Sequence, residues 1–179
     1  MRIGYSDDED YPGQFELWQG NCRRSLRGRK GQAFLRELEA ALVALPEKRL
    51  IADDVAKAGE VCAVGAWLLK KRTEAGRPRA DVLAELEAID SEDCQTDDLA
   101  ISEGAPRLCA WSVVELNDII CDTQWVKNQG PERTAFPYEH NYRSLGGYPV
   151  PLTPEERYER VLAWVRGNLS TGAAVKGTP

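Results

Sequence analysis

Ser102–Val126, SEGAPRLCAWSVVELNDIICDTQWV, is the stretch whose reading decides the fold. Ser102 suits an N-cap, and Glu103 puts a negative charge at the positive end of a helix dipole. Pro106 falls in the first turn, where backbone N–H groups have no intrahelical partner. Beyond it Cys109, Val113, Leu116 and Ile120 share one face, and Leu108, Trp111 and Ile119 widen the apolar surface. A helix apolar around most of its circumference is normally enclosed by its neighbours. Glu115, Asn117, Asp118 and Asp122 interrupt it too often for a membrane span. The expectation is an all-α (mainly α) chain, a single-domain multi-helix bundle around this buried central helix.

The flanking sequence supplies the other helices. Phe15, Trp18, Cys22 and Leu26 recur at helical spacing over Gln14–Arg27, with Gly20 as a weak point. Phe34, Leu38, Ala41, Leu42 and Leu45 form a stripe over Gln32–Leu45, and Pro46 ends it. Residues 50–57 read as a short helical turn. Glu60–Arg72 follows as a helix, in which Gly65 marks a close helix–helix approach. Ala80–Ile89 is amphipathic, and Thr96–Ile101 is a short helix with Thr96 as its cap. Thr153-Pro154-Glu155-Glu156 combines an N-cap threonine, proline at N1 and glutamate at N3, opening a helix that runs to about Leu169. Between Lys127 and Leu152 lies a long irregular loop rich in proline, glycine and aromatics, with room for a short hairpin. The organisation is a flexible segment at 1–13, one helical domain at 14–169 and a flexible tail at 170–179.

The chain has 179 residues, 42% of them hydrophobic and 29% charged, enough for one globular domain with a real core. No apolar run is long enough for a membrane helix, and the acidic N-terminal residues lack the layout of a secretory signal. A cytoplasmic protein is expected. Five cysteines without CxxC spacing read as reduced, mostly buried thiols. With His140 the only histidine, no metal site and no cofactor are expected. No Gly-rich phosphate loop, Rossmann fingerprint, HExxH or G-x-S-x-G occurs.

The net charge of −6 argues against general coating of DNA, but the charge is uneven. Residues 23–31 hold Arg23, Arg24, Arg27, Arg29 and Lys30 and no acid. Arg29 and Lys30 precede a helix N-terminus, where cations are unfavourable unless an anion compensates them. That points to contact with phosphate, nucleic acid or an acidic protein. The structural alternative is that three of these charges cap the preceding helix and the acidic N-terminus covers the rest. In the loop, Tyr138-Glu139-His140-Asn141-Tyr142-Arg143 groups residue types enriched at binding hot spots. The contact candidates there are Tyr138, His140, Tyr142 and Arg143. His140 as a general base lacks an orienting partner, because adjacent Glu139 points away in an extended segment. Thr96–Leu116 has the outline of a helix-turn-helix, but its second helix opens on Glu103, Gly104, Ala105 and Pro106, so it reads as an αα-hairpin of the core. The acidic stretches at 7–10 and 85–98 could mimic nucleic-acid phosphates, though solvated helix faces look the same.

Four segments together carry a resemblance: RSLRGRKGQAFLRELEAALVALPEKRLI ending at residue 51, GEVCAVGAW at 59–67, VVELND at 113–118 and TPEERYERVLAWV at 153–165. They resemble uncharacterised small accessory proteins of tailed phages and prophages. The resemblance implies a phage origin and no active site. Small phage proteins without catalytic motifs often act stoichiometrically on host machinery. The leading expectation is a non-enzymatic binding protein that contacts a host protein or ribonucleoprotein complex, as an inhibitor of antiviral defence of the anti-CRISPR kind. The alternatives are a nucleic-acid-binding accessory protein using residues 23–30, and a small enzyme or nucleotide-binding protein centred on His140. The oligomeric state is open.

Overall fold

The computed structural model describes residues 14–89, 96–118, 121–123 and 149–170, and these are mainly α-helical. α1 (Gln14–Arg27) and α2 (Arg29–Ala44) meet at Gly28 alone. The expected four-residue turn at 28–31 is thus a single-residue corner, and Arg29 and Lys30 are the first two residues of α2. Such tightness requires Gly31: a Cβ there would lie 2.1 Å from the Ser25 carbonyl oxygen. The predicted stripe Phe34, Leu38, Ala41, Leu42 and Leu45 is buried, joined by Leu35. Leu45 turns to an extended conformation (ψ 133°), as the residue before a proline must, and α2 stops.

Residues 50–57 are not a helical turn. β1 (Ala56–Lys57) pairs antiparallel with β2 (Glu60–Val61), pairing Ala56 with Val61 and Lys57 with Glu60. The two-residue loop has positive φ at Ala58 (51°) and Gly59 (85°), the pattern of a type I′ hairpin. The third helix therefore starts later than expected. α3 (Ala63–Glu74) has Cys62 as its N-cap, the thiol accepting from the Gly65 N–H at 3.2 Å. Residues 63–69 are buried without exception, so the first two turns of α3 are enclosed on every side. Gly65 does mark a close approach, but to the hairpin: its missing Cβ would lie 2.2 Å from the Val55 carbonyl oxygen. Gly76 (φ 91°) ends α3, with Arg77 N–H bonded to Arg72 O and Gly76 N–H to Thr73 O, a Schellman motif.

α4 (Arg79–Glu87) buries Val82 and Leu86. α5 (Thr96–Ser102) ends in a second Schellman motif at Gly104 (φ 99°), where Ala105 N–H reaches Ala100 O and Gly104 N–H reaches Ile101 O. Ser102 consequently closes α5 instead of capping the next helix. α6 (Arg107–Asn117) has Pro106 as its N-cap and is eleven residues long, less than half of the expected central helix. Its Cys109, Val113 and Leu116 are buried as expected, joined by Ala110. Beyond it, β3 (Cys121–Thr123) pairs antiparallel with β4 (Pro149–Pro151). The apolar residues read as the end of one long helix thus lead into a strand, and the loop read as irregular ends in one. α5 and α6 form the expected αα-hairpin.

α7 (Pro154–Asn168) opens with the predicted capping box: Thr153 Oγ1 accepts from the Glu156 N–H at 3.2 Å, and Glu156 Oε2 from the Thr153 N–H at 3.0 Å. Tyr158, Val161, Leu162, Trp164 and Val165 join one hydrophobic core with residues of α1 to α6. Among the described residues no helix is long and apolar enough to cross a membrane.

Candidate functional site

The α1–α2 corner gathers the cations of residues 23–31. Arg23, Arg24 and Arg27 are exposed on α1, opposite the face that buries Cys22 and Leu26. Arg24 and Arg27 in its last turn complement the dipole. Arg29 and Lys30 are exposed in the first turn of α2, which holds no acid and whose N-cap, Gly28, offers no side-chain acceptor. Positive charge therefore accumulates where the α2 dipole is already positive. Among the described residues Arg24, Arg27, Arg29 and Lys30 have no hydrogen-bonded or ionic partner.

Several cations elsewhere are paired, although exposed Arg79 and Arg107, each the single cation in the first turn of its helix, also have no partner among the described residues. Arg49 faces Glu60 at 3.0 Å, Lys57 faces Asp54 at 2.8 Å, and Arg166 faces Glu39 at 2.7 Å. Arg72 binds both Glu85 and Glu103, Lys71 joins it on Glu103, and Arg77 joins it on Glu85. Arg72, beside Glu103, holds that carboxyl below its ordinary range, and Arg77 does the same for Glu85. Glu85 belongs to the expected acidic stretch, and together with Glu103 it ties α4 and the α5–α6 turn to the end of α3.

The corner is stapled to the rest of the molecule by Gln32. Its amide nitrogen donates to Leu26 O at 2.8 Å and Asn168 O at 2.9 Å, and its oxygen accepts from the Ser170 N–H at 2.7 Å. One buried side chain thus fixes the end of α1, the start of α2 and the end of α7.

A second polar cluster lies where α6 ends. Buried Arg157 donates through Nε to Asn117 O at 2.8 Å and through Nη1 to Leu50 O at 3.2 Å, closing off the last carbonyl of α6. Asn117 Oδ1 accepts from the Ala63 N–H at 3.1 Å, and its Nδ2 donates to Ile51 O at 2.9 Å. Asp118 Oδ1 accepts from Asn117 Nδ2 and from the Asp53 N–H. Burial raises the Asp118 carboxyl above its ordinary value, against these hydrogen bonds. The same cause lowers Arg157. Five of these six hydrogen bonds run to backbone groups of the 50–53 loop, α3 and α6, so the cluster is a structural joint.

The thiols are chemically quiet. Cys22, Cys62 and Cys109 are free and buried. Burial pushes Cys22 up to about 11 and Cys62 up to about 12, and raises Cys109. None of the three is a thiolate at neutral pH. Among the described residues no group of three His, Cys, Asp or Glu side chains could hold a metal ion.

Of the predicted contact residues, Arg23, Arg24, Arg27, Arg29 and Lys30 are brought together at one corner. Tyr138, His140, Tyr142 and Arg143 lie outside the described residues, as do Cys94 and the acidic segment at 7–10. Two features escaped the sequence reading. Arg157 stands four residues before Val161 on the packing face of α7, and a cation on an apolar stripe was the available signal. Arg36 is exposed on α2 with no partner among the described residues, masked in the sequence by its acidic neighbours. No protein-family model matches the chain, and neither does any curated protein or solved structure.

Proposed function

We propose that this is a non-enzymatic binding protein of phage type that engages an anionic surface of a host macromolecular complex through its α1–α2 corner. In the finer form of the proposal it acts stoichiometrically, as an inhibitor of an antiviral defence complex. The observation that carries the reading is the clustering of unpartnered cations at one corner, where Arg79 and Arg107 each stand as the single cation of a first turn. Arg24, Arg27, Arg29 and Lys30 have no internal partner among the described residues, while Arg49, Lys71, Arg72, Arg77 and Arg166 each face a carboxylate. Two of those unpartnered cations also oppose the dipole of their own helix, a cost without structural return that an external anion would offset. The four phage-like segments are the reason to look for the partner among bacterial defence complexes.

The test is capture from a bacterial lysate with tagged protein, with and without nuclease, beside the triple variant Arg27→Glu, Arg29→Glu, Lys30→Glu. A discrete complex held by the unaltered protein and lost by the variant supports the proposal. Equal capture by both removes the corner from it, and capture of nothing by either overturns it.

A further inference from the structure

Resting on that reading, we infer that the anionic surface is the phosphate backbone of a nucleic acid, and that the contact face extends along α2 to Arg36. From Leu17 to Arg36 the chain holds six cations, Arg23, Arg24, Arg27, Arg29, Lys30 and Arg36, and no acid. Arg29, Ala33 and Arg36 are spaced i, i+4 and i+7, and all three are exposed. They form one solvent-facing row, roughly 10 Å long at the rise of an α-helix. Behind Arg36 the acids of α2 are turned to other tasks. Glu37 accepts from Trp67 Nε1 at 3.0 Å, and Glu39 pairs with Arg166 at 2.7 Å. Arg36 is left without a partner among the described residues, in line with Arg29 and contiguous with the corner.

The composition of this face decides between kinds of partner. Stable protein interfaces have an apolar or aromatic centre around which charges form a rim. The exposed large hydrophobic residues among those described are Leu17 and Val43, at the two far ends of the α1–α2 pair and not within the row of cations. The face is arginine-rich, and guanidinium groups match phosphate oxygens in a bidentate manner. Between the two arginines of the row stands only the methyl group of Ala33, which leaves room for a phosphodiester chain to lie close to the helix. Among the described residues the row holds no exposed ring to stack on a base. Such a surface grips the backbone and reads no sequence. The excess of acid over base in the rest of the chain repels a polyanion and restricts the contact to this one face.

The experiment is a fluorescence-anisotropy titration of the full chain against a labelled 30-base-pair duplex and a labelled single strand of equal length, between 50 and 200 mM salt. Unlabelled poly-glutamate serves as an acidic-protein competitor. The expected result is sequence-independent binding whose log affinity falls against log salt with a slope of about −4 to −5 for the duplex, one phosphate per engaged cation. Arg36→Gln should flatten that slope by about one, and Lys57→Gln, remote from the face, should leave it unchanged. A duplex and a single strand that bind alike support a contact with backbone alone. Binding at 50 mM salt that Arg36→Gln does not alter removes Arg36 from the face. Poly-glutamate displacing either probe at equal charge overturns the choice of nucleic acid over an acidic protein. If neither probe binds at 50 mM salt, the inference fails. In that case a nuclease-resistant complex lost on charge reversal would leave the proposed function standing with a protein partner, and its absence would remove both.

Discussion

Gly65→Ala and Gly20→Ala make the same chemical change inside two helices, and the structure expects opposite signs from them. Alanine in a helix interior is favoured over glycine by about 1 kcal/mol. At Gly20 a new methyl would meet nothing within 4 Å, so that gain should be realised. At Gly65 the new Cβ would sit 2.2 Å from Val55 O and 3.2 Å from Val61 Cβ. An ordinary carbon–oxygen contact is about 3.3 Å, so the hairpin would have to retreat by about 1 Å. The obstructing atom is backbone and cannot swing aside, and it accepts from the Cys62 N–H at 3.0 Å in a bond that the retreat would stretch. Overpacking costs about 1–3 kcal/mol and a compromised buried hydrogen bond costs roughly 1 kcal/mol more. Set against the propensity gain, Gly65→Ala should destabilise by about 2 kcal/mol, or about 4–8 °C in melting temperature for a chain of this size. Gly20→Ala should raise the melting temperature by about 2–4 °C. Thermal and urea melts of the three proteins followed by far-UV circular dichroism decide it. A Gly65→Ala protein that melts at or above the parent would refute the close-approach argument, and Gly20→Ala guards against a general error in the helix term.

Three further outcomes follow from the geometry. Ala58 holds φ 51° in a type I′ loop, a conformation that costs alanine about 1 kcal/mol and asparagine less, so Ala58→Asn should stabilise the fold by up to that amount in urea unfolding. Burial raises Asp118 in the folded protein above its ordinary value, 3.8, so the folded state holds that proton more tightly than the unfolded state does. Stability from this group is present in full below the unfolded value and is lost as pH rises through the folded one; Asp118→Asn, which can still accept both hydrogen bonds, should gain on the parent between pH 4 and pH 7, and a constant difference across that range would contradict it. Lys30→Glu replaces an opposing charge in the first turn of α2 with a favourable one, and should stabilise the free protein by roughly 0.3–1 kcal/mol at low salt while weakening capture of its partner. Lower stability and weaker capture together would mean that Lys30 serves the fold instead.

What the sequence made readable was local. The capping box at Thr153, the stop at Pro46 and the stripe of α2 each depend on residues within one or two turns, and each stands where expected. The supposed central helix failed for reasons that lie between elements. Ser102 has the side chain of an N-cap, but Gly104 two residues later takes the left-handed conformation that closes the helix before it. At the other end the last carbonyl of α6 is taken by Arg157, forty residues away in the chain, and no local pattern announces that. The helix with an unbroken run of buried residues, α3, is amphipathic only weakly, so periodicity underrates it. The same holds for the candidate contact face. Five cations were evident as a run, whereas Arg36 looked neutralised until Glu37 and Glu39 were found turned to Trp67 and Arg166.

The pairing of Thr123 with Pro149 holds the two ends of the intervening segment one strand apart, whatever lies between them. Closure entropy grows only with the logarithm of loop length, so halving or doubling residues 124–148 would change it by about 0.6 kcal/mol. The β3–β4 pair can therefore act as a clasp: as far as its closure is concerned, insertions or deletions between the two short strands carry only a small entropic cost, so chain length there is free to drift.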